Sequence, residues 1–169
     1  MQFSTLLLVA AVVAVITAIL MIVWHRRSLR VRLANIGEGV HGDGILSKRA
    51  DAAVPRYRLL KVGSDADHVA LAGAGELALY QAIDEAAAAE DLIGCRSLAC
   101  SPGTMLVVSN GAGVIVPGDL LVPAATGKVA KKAASAGNYY IAGIAITGAA
   151  ATDGLLVEVI PVGAWQTNA

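Results

Sequence analysis

Ala82-Ile83-Asp84-Glu85-Ala86-Ala87-Ala88-Ala89-Glu90-Asp91-Leu92-Ile93 and Ala145-Ile146-Thr147-Gly148-Ala149-Ala150-Ala151-Thr152-Asp153-Gly154-Leu155-Leu156 follow one pattern at an offset of 63 residues. Each has an Ala-Ile pair, an Ala-rich bend and a pair of branched apolar residues. Upstream, Leu59-Leu60 matches Leu120-Leu121, His68-Val69-Ala70 matches Lys128-Val129-Ala130, and Ala74-Gly75 matches Ala136-Gly137. These offsets are 61, 60 and 62, a drift that small insertions in turns absorb. Each unit reads as a Leu-Leu strand, a short Val strand, an Ala-Gly turn, a long strand, an Ala-rich bend and a closing strand. The sequence therefore predicts an internal two-fold pseudo-repeat, with units at about 57–98 and 119–160.

The surrounding runs are short and of β type. They are Tyr57–Val62, His68–Leu71, Leu77–Ile83, Leu92–Leu98, Met105–Ser109, Leu120–Val122, Tyr139–Ile146 and Leu155–Ile160. Turn signals separate them: Gly63-Ser64-Asp65, Ser101-Pro102-Gly103, Asn110-Gly111, Pro117-Gly118-Asp119, Thr126-Gly127 and Asp153-Gly154. Eight close-set strands predict an all-β fold, a small antiparallel sandwich or barrel-like domain over 57–169. Alanine favours helix, but the run at Ala86–Ala89 is too short to be helical alone. Both Ala-rich segments read as connections, the first with room for one helical turn at Asp84–Asp91.

The chain has 169 residues and no net charge, but that balance averages two unlike pieces. Residues 1–32 carry four Arg and no acid; residues 33–169 carry 9 basic and 13 acidic residues and all 18 Gly. Such a balance argues against a nucleic-acid binder, which presents a basic field to phosphates. Ala supplies 33 residues, so the 56% hydrophobic content overstates the apolar bulk.

From Thr5 to Trp24 the sequence is TLLLVAAVVAVITAILMIVW, long enough as a helix to span about 30 Å. Trp24 fits an interfacial aromatic, and Arg26-Arg27 would place the following body in the cytoplasm. The residues are compatible with a transmembrane helix ending at Thr5 and Trp24, and with an extension ahead of a true start at or after Met21. A signal peptide fits less well, because neither a basic n-region nor a small-x-small site is present. Residues 33–56 read as a Gly-rich extended arm.

Chemical motifs are weak. Gly37-Glu38-Gly39-Val40-His41-Gly42 matches G-x-G-x-x-G, but lacks the preceding strand and following helix of a dinucleotide site. Asp65-Ala66-Asp67-His68 clusters cation-binding groups without the further oxygens that Ca²⁺ needs, and reads as a solvated hairpin tip. Cys95 and Cys100 form a lone pair unlike a zinc motif, and read as free, largely buried thiols. No Ser lies in a nucleophile elbow, and no His follows residue 68 to serve as a base. No catalytic residue, cofactor, metal or small-molecule substrate is expected, and an enzyme is not the favoured reading. Trp165 reads as a packing anchor rather than an intersubunit contact.

Residues 35–162 resemble the phage capsid cement, or head-decoration, proteins of lambda-type β fold. The resemblance rests on Lys48-Arg49-Ala50-Asp51-Ala52-Ala53, Ser101-Pro102-Gly103-Thr104, Pro117-Gly118-Asp119-Leu120-Leu121 and Thr126-Gly127-Lys128-Val129. It also rests on Ala142-Gly143-Ile144-Ala145-Ile146-Thr147 and Gly154-Leu155-Leu156-Val157-Glu158-Val159. These Gly- and Ala-rich patterns carry no catalytic signature. The resemblance implies a homotrimer on the outside of an icosahedral head, clamping the major capsid protein, made in the bacterial cytoplasm and localised to the virion. It also implies an arm crossing the shell, which would carry Asn35, Ile36, Glu38, His41, Lys48 and Arg49. The apolar head departs from the family. It supports an alternative, a single-pass inner-membrane protein whose β domain binds a partner at the cytoplasmic face.

Overall fold

The computed structural model describes residues 44–168. Its strands are β1 (Ile45–Ala50), β2 (Leu59–Val62), β3 (His68–Leu71), β4 (Tyr80–Ala82), β5 (Leu92–Ser97), β6 (Met105–Asn110), β7 (Leu120–Ala124), β8 (Lys128–Lys131), β9 (Gly137–Ala145) and β10 (Asp153–Asn168). A single 3₁₀ turn, Ala125–Gly127, links β7 to β8. The strands close into two five-stranded barrels, β1-β3-β2-β4-β5 and β6-β8-β7-β9-β10, within one compact unit. Both barrels have the same strand order. In each, the first and third strands run parallel and all other neighbours are antiparallel.

The duplication holds at the level of register. Leu60 faces Tyr80 and Leu71, and Leu121 faces Gly143 and Lys131. Ala82 faces Cys95, and Ala145 faces Val159. The last pair corrects the sequence alignment by one residue: Ile93 corresponds to Val157, not Leu156. A bulge between Asp153 and Leu156 takes up the extra residue. Val157 is therefore buried like Ile93, while Leu156 is 47% exposed. The repeat boundaries also move outward. Each unit begins one strand earlier than expected, at β1 and at β6, so Ile45–Ala50 is barrel wall rather than extended arm.

The expected helical turn at Asp84–Asp91 does not form. Val54 and Ala86 instead exchange backbone hydrogen bonds of 2.8 and 2.9 Å, and the Asp91 carboxylate accepts the N–H groups of Ala87 and Ala88 at 3.0 Å. Ile115 and Ala149 exchange the equivalent pair at 2.9 Å each. Long-range pairing satisfies the backbone better than one isolated helical turn would. The expected N-terminal hydrophobic helix lies outside the described residues. Among the described residues no helix is long and apolar enough to cross a membrane.

The interiors explain the composition. A five-stranded barrel encloses a narrow space, and added volume there forces strain. The first is filled by Ala50, Val54, Leu60, Val69, Ala82, Ala86, Ile93 and Cys95. The second is filled by Val107, Ile115, Leu121, Val129, Val157 and Val159 with small residues between them, and this cluster extends into the first barrel through Leu59, Ala72, Ala78 and Leu98. The barrels are therefore joined by apolar packing. Polar ties reinforce the junction: Gly127 N–H donates to the Ala72 carbonyl (2.7 Å), Gln81 Nε2 to the Leu106 carbonyl (3.0 Å), and the Tyr140 hydroxyl to the Ala78 carbonyl.

Candidate functional site

Asn35, Ile36, Glu38 and His41 of the expected contact arm, and Thr5 and Trp24 of the expected membrane segment, lie outside the described residues. Lys48 and Arg49 lie on β1 and are tied into the barrel. Lys48 Nζ donates to the Ala66 carbonyl at 2.6 Å, and Arg49 Nη1 stands 3.5 Å from a Glu90 carboxylate oxygen.

The Asp65–His68 tip is more organised than a solvated turn. His68 Nδ1 lies 2.6 Å from Asp65 Oδ1, and His68 Nε2 lies 3.1 Å from Glu90 Oε1. Hydrogen bonding to Asp65 and then to Glu90 raises the imidazole above its ordinary pKa, and the bond from His68 lowers that of Asp65. Among the described residues no group of three or more His, Cys, Asp and Glu is placed to hold a metal ion. The second barrel holds the counterpart, with Lys128 Nζ 2.6 Å from the Asp153 carboxylate. Lys128 first, and Arg58 of the other barrel more weakly, hold that carboxyl below its usual range.

The outer surfaces of the two copies have diverged. The outward row of β10 reads Leu156, Glu158, Ile160, where β5 carries Leu92, Gly94, Arg96. Of ten exposed large hydrophobic residues among the described residues, two (Val62 and Leu77) belong to the first barrel and eight to the second. That asymmetry makes the second barrel the better candidate for a contact surface, where Leu106 pairs with Glu158 between Leu156 and Ile160 on one face. β10 also outruns its barrel. Its last residues, Ala164–Asn168, pair only with Gly137–Ile141 of β9, after a register shift between Pro161 and Ala164. On this ribbon Trp165 meets Tyr140 edge-on, with ring centroids 5.6 Å apart, yet is 59% exposed, so it anchors by one edge only.

Between the barrels a shallow groove is lined by Tyr57, Gln81, Arg96, Thr104, Leu106 and Glu158. Arg96 donates to the Thr104 carbonyl, and the Thr104 hydroxyl to Glu158 (2.6 Å). Cys95 is buried and Cys100 exposed, so the expectation of two largely buried thiols holds for one. Sequence reasoning missed both cation–carboxylate clasps. Their signal was present in the repeat, which sets His68 against Lys128 and, at the offset of 63, Glu90 against Asp153.

No known protein family and no curated protein matches the chain. Among solved structures, the crystal structure of head fiber gp8.5 N base in bacteriophage phi29 is similar, with a TM-score of 0.55 at 20% sequence identity. The match covers 73% of this chain and 98% of that one. At such identity the likeness is one of fold.

Proposed function

We propose that this chain is a structural component of a bacteriophage head: a decoration protein that binds the outside of the shell, stabilises it and has the major capsid protein as its partner. The observation that carries the reading is the fold shared with nearly the whole of a head-fibre base. The eight exposed large hydrophobic residues of the second barrel support it, because they supply contact area without a deep cavity. Identical weak contacts repeated over a symmetric shell add through effective concentration, so no single site needs high affinity. Assembly as a homotrimer belongs to the same reading.

Mass spectrometry of purified virions tests it directly. The expected result is a copy number in fixed ratio to the major capsid protein, with heads lacking the chain rupturing at lower temperature until it is added back. Absence from particles overturns the proposal, and light scattering of the purified chain decides the trimer. The apolar run Thr5–Trp24 favours a second reading, a membrane-anchored binding module. Under it the chain would fractionate with membranes and withstand carbonate extraction.

A further inference from the structure

We infer that the first barrel is closed across its parallel seam by a clasp that loosens as pH rises through neutrality, at the place where the second barrel carries a lysine clasp that does not. Each barrel closes where its first strand meets its third, and this ladder is short: two register pairs join β1 to β3, and one joins β6 to β8. In both barrels a cation at the start of the third strand reaches an acid at or just before the start of the fifth. The contact therefore crosses the first strand and braces the seam. The first pair is His68 with Glu90, and the second is Lys128 with Asp153.

The difference lies in the cation. Lysine stays charged far above neutrality, whereas imidazole loses its charge near it. The other charged groups around the first clasp set its window. Asp65, on the turn before β3, takes the second ring nitrogen, so His68 faces two carboxylates when protonated. Arg49 on β1 lies 3.5 Å from Glu90. Lys48 and Asp51 are engaged elsewhere, with the Ala66 carbonyl and with Ser64, and the Asp67 backbone N–H donates to Asp65. Asp91 is held by the backbone of Ala87 and Ala88. The folded imidazole therefore titrates above the unfolded value of 6.5. Its stabilisation is full below 6.5 and is lost as pH rises through the folded value.

The test compares full-length wild type with His68→Lys, which copies the second barrel, and reads thermal midpoint and amide exchange from pH 5.5 to 9. Wild type is expected to lose midpoint across this range, and His68→Lys to stay flat. At pH 8.5, exchange in residues 65–71 is expected to be roughly fivefold faster in wild type than in the variant, with residues 128–131 unchanged. Parallel profiles for the two proteins overturn the inference. Should His68→Lys not fold, the imidazole titration of wild type, assigned by its loss in His68→Gln, decides instead. A midpoint above 6.5 that falls in Glu90→Gln supports the clasp, and one at or below 6.5 overturns it.

Discussion

Tyr57 and Gly118 occupy the same place in the two barrels. Both have positive φ, 63° and 91°, and their N–H groups donate to the equivalent carbonyls of Ala82 (2.9 Å) and Ala145 (2.8 Å). The backbone there is dictated by barrel closure, and only one copy uses the residue that accepts it without strain. Tyr57 is offset by its neighbour: the Arg56 guanidinium lies 4.9 Å from the ring centroid and also donates to the Ile83 carbonyl.

This relationship ranks two glycine substitutions. At Gly118 an added Cβ meets open space, so Gly118→Ala carries only the backbone cost, about 1 kcal/mol. At Gly127, φ is 68° and the Cβ would fall 2.6 Å from the Leu59 carbonyl oxygen, inside the junction between barrels. Gly127→Ala is expected to cost roughly 3 kcal/mol. Urea denaturation midpoints of the two variants check the order.

Tyr140→Phe removes the donor to the Ala78 carbonyl and leaves a buried acceptor at the junction without it. The expected loss is about 1–2 kcal/mol. Because Leu59, Ala78 and Leu98 of the first barrel share a core with the second, the variant should still unfold in one transition. Coincidence of circular dichroism and Tyr/Trp fluorescence on denaturation measures this, and two separated transitions would show that the junction does not couple the barrels.

The two thiols should react at very different rates. Burial pushes the Cys95 thiol up to about 12, and it is enclosed in the first core. Cys100 is exposed. Iodoacetamide under native conditions is expected to modify Cys100 alone, with Cys95 labelled only after denaturation, as peptide mass mapping would reveal.

Acidification should destabilise the fold through identifiable carboxylates. Glu76 is lowered by its bond from Lys61, Asp119 by Lys131 and Asp153 by Lys128. A depressed folded pKa means stabilisation that is present above the unfolded value and lost as pH falls toward the folded one. The thermal midpoint should therefore drop from about pH 5 downward. Lys128→Met removes the main cause of the shift at Asp153, so its acid limb should be shallower than that of wild type.

Much of the architecture is legible in the sequence, because the signals that carry it are local. Leu59-Leu60 and Leu120-Leu121 mark corresponding strands, and Asn110-Gly111 and Pro117-Gly118 mark turns through residue types that accept the required backbone, whereas Asp153-Gly154, expected as a turn, opens β10. The missed elements depend on distant partners. Ile45–Ala50 mixes apolar and charged residues after a Gly-rich stretch, and it is a strand because Arg96, Gly94 and Leu92 of β5 lie beside it. The Ala86–Ala89 run favours helix by propensity, and Val54 overrides that preference from across the barrel.

By itself, the sequence determined that the body is β, that it is duplicated and that its interior must be small. Those properties follow from residue type, alternation and spacing along the chain. Only the tertiary structure decided that the copies close as separate barrels, that a bulge shifts Leu156 from core to surface, and that His68 meets Glu90 where Lys128 meets Asp153. Closure, register and the pairing of charges 22 or 25 residues apart depend on which strands lie side by side, and that is settled by packing rather than by neighbours in sequence.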